Sequence, residues 1–259
     1  MSYELLTFDV AGRIATITVN RPDKLNALND ALMAELGFAM TEAIRRADVG
    51  AVLLTGAGRA FVAGADIGEL VDQSATEGKA RAERGQRTFR LFETSPKPTL
   101  AAINGFALGG GLELALACDL IIASEKARFG QPEINLGLIP GFGGTQRLPH
   151  RIGHNRAREL IMTGDMFDAK TALELGLANQ VVAPGELIGT ARKLAEKLAG
   201  KSAVALRQAK AALRAAFTME EDAGLRFEQE AFGVVFGSAD RVEGTSAFVE
   251  KRPPNWQHK

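Results

Sequence analysis

The sequence predicts an α/β fold that continues into a helical C-terminal part, and three observations carry this prediction. Up to about residue 185, short β-branched runs alternate with stretches whose apolar residues recur at helical spacing. Strands and helices that alternate in this way form parallel sheets with crossover helices. Beyond that point only helical spacing continues, and no Pro- or Ser-rich linker separates the two parts, so we expect a helical lobe packed on the core or on a neighbouring subunit.

The first predicted element is a β-hairpin. Residues 5–10 and residues 13–20 are apolar, β-branched runs, and only the link Ala11-Gly12 separates them. Two such runs joined by so short a link are typical of antiparallel strands. Pro22 follows the second run and cannot donate a backbone hydrogen bond, so it ends the strand.

Helices and buried strands are predicted along the rest of the chain. After the capping residue Asp30, apolar residues recur at spacings of four, three and four, which predicts a helix to about Arg46. Helical spacing starts again at Leu187 and at Leu206. Further strands are predicted at residues 51–55, 99–103, 119–123 and 178–182, and a short helix at residues 110–118.

Composition excludes several classes of protein. The 31 Lys and Arg residues balance 31 Asp and Glu residues, so no global field attracts nucleic acid or anionic lipid. The single cysteine, Cys118, excludes an intrachain disulfide framework and a multi-thiolate metal site. His150 and His154 have the spacing of a metal pair but no apparent third ligand, so we expect surface histidines and no metal. The N-terminus lacks a signal-peptide pattern and no stretch suits a membrane span, so we expect a cytoplasmic protein.

Three glycines precede a helix that contains one carboxylate. Gly109, Gly110 and Gly111 leave backbone N–H groups approachable at a helix start, which suits a developing oxyanion or a phosphate as well as a simple tight turn. Glu113 is the only charged residue in residues 99–118, on a helix that is apolar on every side. Burial should raise its pKa, as a general acid or base requires.

Two further loops have the composition of a ligand site. Glu133 lies among prolines and glycines that forbid long regular structure, and two carboxylates in different environments can divide acid and base roles with each other. Residues 61–67 contain the small-residue loop Ala63-Gly64-Ala65 and come after the buried strand predicted at residues 51–55, where α/β proteins place ligands. Either loop, taken alone, is also consistent with an ordinary connection.

Other common sites are absent from the sequence. It has no Gly-x-Gly-x-x-Gly after a strand, no phosphate-binding loop with lysine, and no Gly-x-Ser-x-Gly nucleophile elbow. Basic residues recur every three positions, a pattern that is more often a solvated helix face than a polyanion site. They are Arg81, Arg84, Arg87 and Arg90.

Residues 60–67, 98–119 and 129–148, in this order and at this spacing, resemble the enoyl-CoA hydratase/isomerase (crotonase) family over essentially the whole chain. The resemblance implies a crotonase-like spiral of repeated strand-strand-helix units with a helical C-terminal lobe. It also implies a homo-oligomer, a trimer or a dimer of trimers. We assign residues 1–195 to the spiral catalytic core and residues 196–259 to a helical lobe for oligomerisation and for closing the CoA site.

The resemblance also implies roles for the three motifs. The N–H groups of Ala65 and Gly110 would form the oxyanion hole for a thioester carbonyl. Glu113 would activate water and Glu133 would protonate the carbon next to the carbonyl, giving syn addition of water to 2-trans-enoyl-CoA. Two neighbours would support them, Gln131 by orienting the carboxylates and Gly141 by leaving room for the water.

CoA is part of the substrate, and no other cofactor is expected. The implied CoA contacts are Lys24, Ala63, Asp66, Ile67, Phe248 and Lys251, the last two reaching a neighbour's CoA. Gly68 stands where some hydratases carry a lysine. Phe142 stands where a smaller residue is common, so it either narrows the acyl pocket or packs outside it.

Three alternatives stay open at this point. Double-bond isomerases resemble this sequence but typically keep only the carboxylate at the Glu133 position, so two carboxylates favour a hydratase. Another acyl-CoA lyase of the family and an RNA-binding family member are the other two. RNA binding is disfavoured because acidic residues dilute the basic helix and the net charge is zero.

Overall fold

A computed structural model of the protein describes residues 3–259. The strands are β1 (Leu6–Ala11), β2 (Ile14–Val19), β3 (Ala51–Gly56), β4 (Ala60–Val62), β5 (Thr99–Ile103), β6 (Phe106–Leu108), β7 (Leu120–Ser124), β8 (Arg128–Gly130), β9 (Met166–Asp168) and β10 (Gln180–Val182). The helices are α1 (Asp30–Arg45), α2 (Ala75–Glu93), α3 (Gly110–Leu116), α4 (Gly144–Ile152), α5 (His154–Thr163), α6 (Ala169–Glu174), α7 (Leu187–Ala199), α8 (Ala203–Ala215), α9 (Glu221–Phe236) and α10 (Ala239–Val249).

The strands form two sheets, and the chain moves between them in a repeated unit. One sheet has the order β1-β2-β3-β5-β7-β10 and the other the order β4-β6-β8-β9. Each of the segments β3-β4-α2, β5-β6-α3 and β7-β8-α4 adds one strand to each sheet and then a helix. The successive strands pair in parallel within their sheets. The predicted spiral of strand-strand-helix units is confirmed.

The N-terminal hairpin is also confirmed, with one correction. β1 and β2 pair antiparallel from Leu6 opposite Val19 to the turn. The turn residues are Gly12 and Arg13, with φ of 59° and 64°, rather than Ala11-Gly12. Positive φ at both central residues matches the twist of a tight hairpin.

Helix α1 begins one residue earlier than its predicted cap implies. Asn29, not Asp30, is the capping residue, and its side chain accepts a hydrogen bond from the Leu32 N–H at 2.9 Å. Asp30 is the first helical residue, which leaves its carboxylate available for ion pairs with α2. The predicted apolar positions of α1 are buried.

The central strands of the larger sheet are buried on both faces, whereas the edge strands β1 and β10 are partly exposed. One face, which includes Ile17 and Leu54, packs into the main core with α1, α2 and the smaller sheet. The other face, which includes Leu53 and Leu100, is covered by α7. α7 runs without a break through the predicted boundary between residues 195 and 196, so the division into two domains stays a prediction.

The C-terminal part is helical as predicted, with α8, α9 and α10 following α7. The strand predicted at residues 178–182 is shorter, because residues 175–178 form the turn that ends α6. Within residues 3–259 no helix is both long and apolar enough to cross a membrane.

Two glycine-to-alanine substitutions should have opposite effects on stability. A Cβ on Gly111 of α3 would overlap the Val62 backbone carbonyl of β4, which cannot move aside. Gly111→Ala should therefore cost about 1–3 kcal/mol of unfolding free energy. Gly78 of α2 has open space around its Cβ position, so Gly78→Ala should stabilise the protein by about 0.5–1 kcal/mol.

Urea unfolding of both variants and the wild type measures this difference. A Gly111→Ala protein as stable as Gly78→Ala would contradict the close approach of α3 to β4.

Candidate active site

The smaller sheet brings the three sequence motifs to one edge. β4, β6 and β8 pair in parallel, so their carboxyl ends lie side by side. Residues 63–66 follow β4, residues 109–113 follow β6, and residues 131–133 follow β8. Contacts across the edge confirm the convergence, since a Cβ on Gly109 would lie 2.9 Å from the Glu133 carboxylate.

Two backbone N–H groups are left free at this edge. Leu28 pairs with the segment after β4, donating to the Gly64 carbonyl at 2.9 Å and accepting from the Asp66 N–H at 2.8 Å. The N–H of Ala65, between them, has no hydrogen-bond acceptor in the part of the chain that the structure describes, and neither has that of Gly110 at the start of α3. The two free N–H donors follow the neighbouring strands β4 and β6, and such a pair suits a negative charge that develops on an oxygen atom.

Glu113 is a buried carboxylate held by backbone donors. Its side chain lies on α3 and the residue is 1% exposed. One carboxylate oxygen accepts from the Phe142 N–H at 2.8 Å and from the Gly144 N–H at 2.6 Å. Burial raises the pKa of Glu113 to about 7, against the opposing effect of these two hydrogen bonds, and the nearby Glu133 raises it further.

Glu133 lies across the site in a more open position. It is half-buried in a short 3₁₀ helix, Pro132–Leu136, rather than in the irregular loop expected. Burial raises its pKa to about 7 as well. Gln131 is buried beside Glu133. With its side-chain amide oriented so that the NH2 group faces acceptors, Gln131 donates to both carboxylate oxygens of Glu133 at 3.2 Å. Glu133 therefore has one amide partner and one open side.

Phe142 forms part of the wall of the site. Its ring packs against Gly85 of α2 and meets the Phe89 ring edge-on, with centroids 5.6 Å apart. On its other side, a Cβ on Gly110 would lie 3.2 Å from the ring. The ring thus lies between α2 and the oxyanion-hole candidate. At Gly141 a Cβ would point to Ala82 of α2, 3.9 Å away, so the open space at that glycine faces α2.

The donors to Glu113 are functional groups that the sequence reasoning missed. Gly144 is the first residue of α4, so the carboxylate meets the positive end of that helix. Arg147 fixes the loop by donating to the Phe142 carbonyl at 2.8 Å and to Glu93 at 2.9 Å. The sequence does contain a signal for these donors. Gly143 and Gly144 open a helix, and the buried Glu113 carboxylate needs hydrogen-bond donors.

Arg81 corrects the interpretation of the basic residues on α2. It is 5% exposed rather than solvated, and it forms ion pairs with Asp30 at 3.2 Å and Glu69 at 2.8 Å. Arg84 pairs with the other oxygen of Asp30 at 3.0 Å. Half of the predicted basic row is therefore already neutralised by carboxylates of this chain.

The predicted CoA contacts lie in two places. Lys24 is exposed in the segment before α1, and the Ala63 N–H donates to the adjacent Leu25 carbonyl at 3.1 Å. Asp66 pairs with Arg21 at 2.9 Å, and this hydrogen bond holds the pKa of Asp66 below its ordinary value.

The remaining three predicted contacts are exposed. Ile67 follows Asp66 and is exposed. Phe248, on α10, is also exposed, and Lys251 follows that helix. These two residues lie in the helical part rather than on the loops that carry the carboxylates. All six CoA contacts stay predictions.

Comparison with known proteins decides the family. The family model for enoyl-CoA hydratase/isomerase matches residues 9–259. The chain belongs to this family. A protein from Clostridium acetobutylicum named short-chain-enoyl-CoA hydratase is 46% identical over 93% of each chain.

Two further family members match over their full length. A crotonyl-CoA hydratase from Syntrophomonas wolfei is 42% identical over 100% of each chain. The solved structure of an enoyl-CoA hydratase from Bacillus anthracis superposes with a TM-score of 0.95 at 41% identity, covering 99% of this chain and 100% of that one. The hydratase/isomerase fold therefore extends through the C-terminal helices.

Replacing Glu113 should change how stability depends on pH. Because the folded pKa of about 7 exceeds the ordinary 4.5, the folded protein binds this proton more tightly than the unfolded chain does. The contribution of Glu113 to stability is thus fully present below pH 4.5 and declines as pH rises to about 7. Glu113→Gln keeps an oxygen for both backbone donors and should remove this part of the decline.

Urea unfolding at about pH 5 and about pH 8 tests the effect. The exposed Glu83→Gln on α2 is the matched control and should behave as wild type. The same decline in all three proteins would show that Glu113 is not buried as described.

Proposed function

We propose that this protein catalyses the reversible hydration of 2-trans-enoyl-CoA to 3-hydroxyacyl-CoA. The observation that carries the proposal is the convergence of two carboxylates, each with a pKa raised to about 7, on an edge that also presents two free N–H groups. Hydration needs one group to accept a proton, one to donate a proton, and a site for negative charge. The names of the relatives support the same reaction.

The thioester carbonyl is proposed to bind between the N–H groups of Ala65 and Gly110. Attack of water on C3 moves electrons through the double bond onto this oxygen, so an enolate develops where both donors point. Donors that are fixed before the reaction stabilise this charge without reorganising. Loss of one such donor in other enzymes typically costs about 10²–10³ in kcat.

The two carboxylates are proposed to divide the proton transfers. Glu113 has one oxygen held by two N–H groups, which favours the ionised form, and its other oxygen can accept a proton from water as the C3–O bond forms. Glu133, protonated and on the open side, donates its proton to C2 as the enolate collapses. Both groups act from one edge of the sheet, so water adds to one face of the double bond.

Short acyl chains are the proposed substrates, and no cofactor beyond the CoA of the substrate is proposed. The Phe142 ring supports the first point because it fills the space between Gly110 and α2. Relatives named for short-chain and crotonyl substrates support it too. The second point follows from the chemistry, since adding water forms one C–O bond and one C–H bond with no net oxidation or reduction.

A homo-oligomer, a trimer or a dimer of trimers, is the proposed assembly. Large apolar side chains are exposed on α9 and α10 and on the turn after α8, as an interface requires. They include Phe217, Phe232, Phe236, Val242 and Phe248. In such an assembly Phe248 and Lys251 could reach the CoA of a neighbouring subunit, as the family resemblance implies.

Removing either carboxylate should abolish most of the activity. Glu113→Gln and Glu133→Gln keep the side-chain shape but cannot transfer the proton, so each should lower kcat for crotonyl-CoA hydration by about 10²–10⁴. Loss of the absorbance of the conjugated thioester measures the rate. The exposed Glu83→Gln serves as control.

Wild-type rates in both variants would overturn the proposed mechanism. A wild-type protein that fails to hydrate crotonyl-CoA but converts 3-enoyl-CoA would identify an isomerase instead.

The rate should depend on pH as a bell. Hydration needs one ionised and one protonated carboxyl, and both groups have pKa values near 7. The rate should fall in acid as the base is protonated and in alkali as the acid loses its proton, with both apparent values belonging to the coupled pair. We would measure kcat/KM for crotonyl-CoA from about pH 5.5 to about pH 9. A flat profile would contradict the division of roles.

A further inference from the structure

The loop that carries Ala65 is fixed by arginines on two sides. On one side Arg21 pairs with Asp66, directly after Ala65, at 2.9 Å. On the other side Arg81 pairs at 2.8 Å with Glu69, in the short 3₁₀ helix Ile67–Glu69 that continues from the loop. Arg21 lies three residues before Lys24, one of the predicted CoA contacts. Arg81 lies on α2 and has no role in the proposed chemistry.

Arg81 joins three segments of the chain through one buried guanidinium group. Besides the ion pair with Glu69, it donates to Asp30 at the start of α1 at 3.2 Å and to the Leu28 carbonyl at 3.4 Å. Glu69 in turn accepts from the Asp30 N–H at 3.2 Å. α2, the start of α1 and the turn after Ala65 are therefore held in one closed set of hydrogen bonds.

This set of hydrogen bonds reaches Ala65 through Leu28. The two neighbours of Ala65, Gly64 and Asp66, are both hydrogen-bonded to the Leu28 backbone. The Leu28 carbonyl accepts from the Asp66 N–H and from Arg81. The direction of the Ala65 N–H thus depends on a backbone segment that Arg81 holds in place.

We propose that Arg81 is a positioning residue for the oxyanion hole, which fixes Leu28 and the turn after Ala65 so that the Ala65 N–H points at the thioester oxygen. The inference rests on the proposed function only in that it takes the oxygen to be that of an acyl-CoA. A preorganised donor loses its effect when it is misplaced by about 1 Å, which costs up to about 100-fold in rate. The hydrogen bonds of Arg81 go to Leu28, Asp30 and Glu69 and not to Glu113 or Glu133, so its effect is expected at the Ala65 donor and not at the proton transfers.

The arrangement makes the idea testable by substitution. The side chains of Asp30 and Glu69 are 53% and 36% exposed, so water can solvate both if the guanidinium is removed. Arg81→Met retains the apolar stem and most of the volume, and should fold. Arg90→Met is the matched control, because Arg90 is exposed on the same helix and its substitution is the same chemical change.

Two readouts separate positioning from a general loss of structure. For crotonyl-CoA hydration, Arg81→Met should lower kcat about 10- to 100-fold with KM changed less than about threefold, and the apparent pKa values of the pH profile should not move. Binding of acetoacetyl-CoA, whose enolate places charge on the same thioester oxygen, should give a weaker enolate absorbance in Arg81→Met than in wild type. Arg90→Met should match the wild type in both.

Equal kcat and equal enolate absorbance in Arg81→Met and Arg90→Met would overturn the proposal. If Arg81→Met fails to fold, Glu69→Gln weakens the same set of hydrogen bonds from its exposed end and should show the same loss of enolate absorbance; a wild-type signal there would also overturn it. A wild-type protein inactive on enoyl-CoA would refute the proposed function, whereas the acetoacetyl-CoA comparison would still decide the role of Arg81.

Discussion

The parallel pairing of β4, β6 and β8 is the constraint on which the site depends. Each strand has only three residues, and each continues directly into one functional loop. Because the carboxyl ends of neighbouring parallel strands meet at one edge, loops some 20 to 45 residues apart in sequence become neighbours in space. The larger sheet and α7 support this arrangement, because the first strand of each repeat, β3, β5 or β7, lies in a layer that is almost completely buried.

The chemistry follows from how differently the two carboxylates are surrounded. Burial disfavours the charge on both, yet Glu113 has two backbone donors at the start of α4 while Glu133 has an amide and an open side. The two carboxylates have similar pKa values but different hydrogen-bond partners. This difference in surroundings lets one of them act as the base and the other as the acid in the same site. The glycines at positions 109 and 144 keep the backbone close enough for these contacts.

The sequence predicted some of these features and not others, for physical reasons. The hairpin, α1 and the buried Glu113 follow from periodicity and from the absence of other charges nearby. The repeated strand-strand-helix unit came from the family resemblance, and the division of its strands between two sheets was not predicted, because three-residue strands such as β4 are too short to show a period. The predicted solvated face is wrong for Arg81, because its spacing of four to Gly85 and of eight to Phe89 places it on the buried face of α2 despite its spacing of three to Arg84.

The stereochemistry of water addition tests the central claim most directly, since that claim is that both carboxylates act from one edge of the smaller sheet. Crotonyl-CoA would be hydrated in D2O, and the relative configuration at C2 and C3 of the 3-hydroxybutyryl product would be read from proton NMR coupling. A deuteron and a hydroxyl group added to the same face are expected. Addition to opposite faces, or deuterium scrambled at C2, would contradict the arrangement of Glu113 and Glu133 described above.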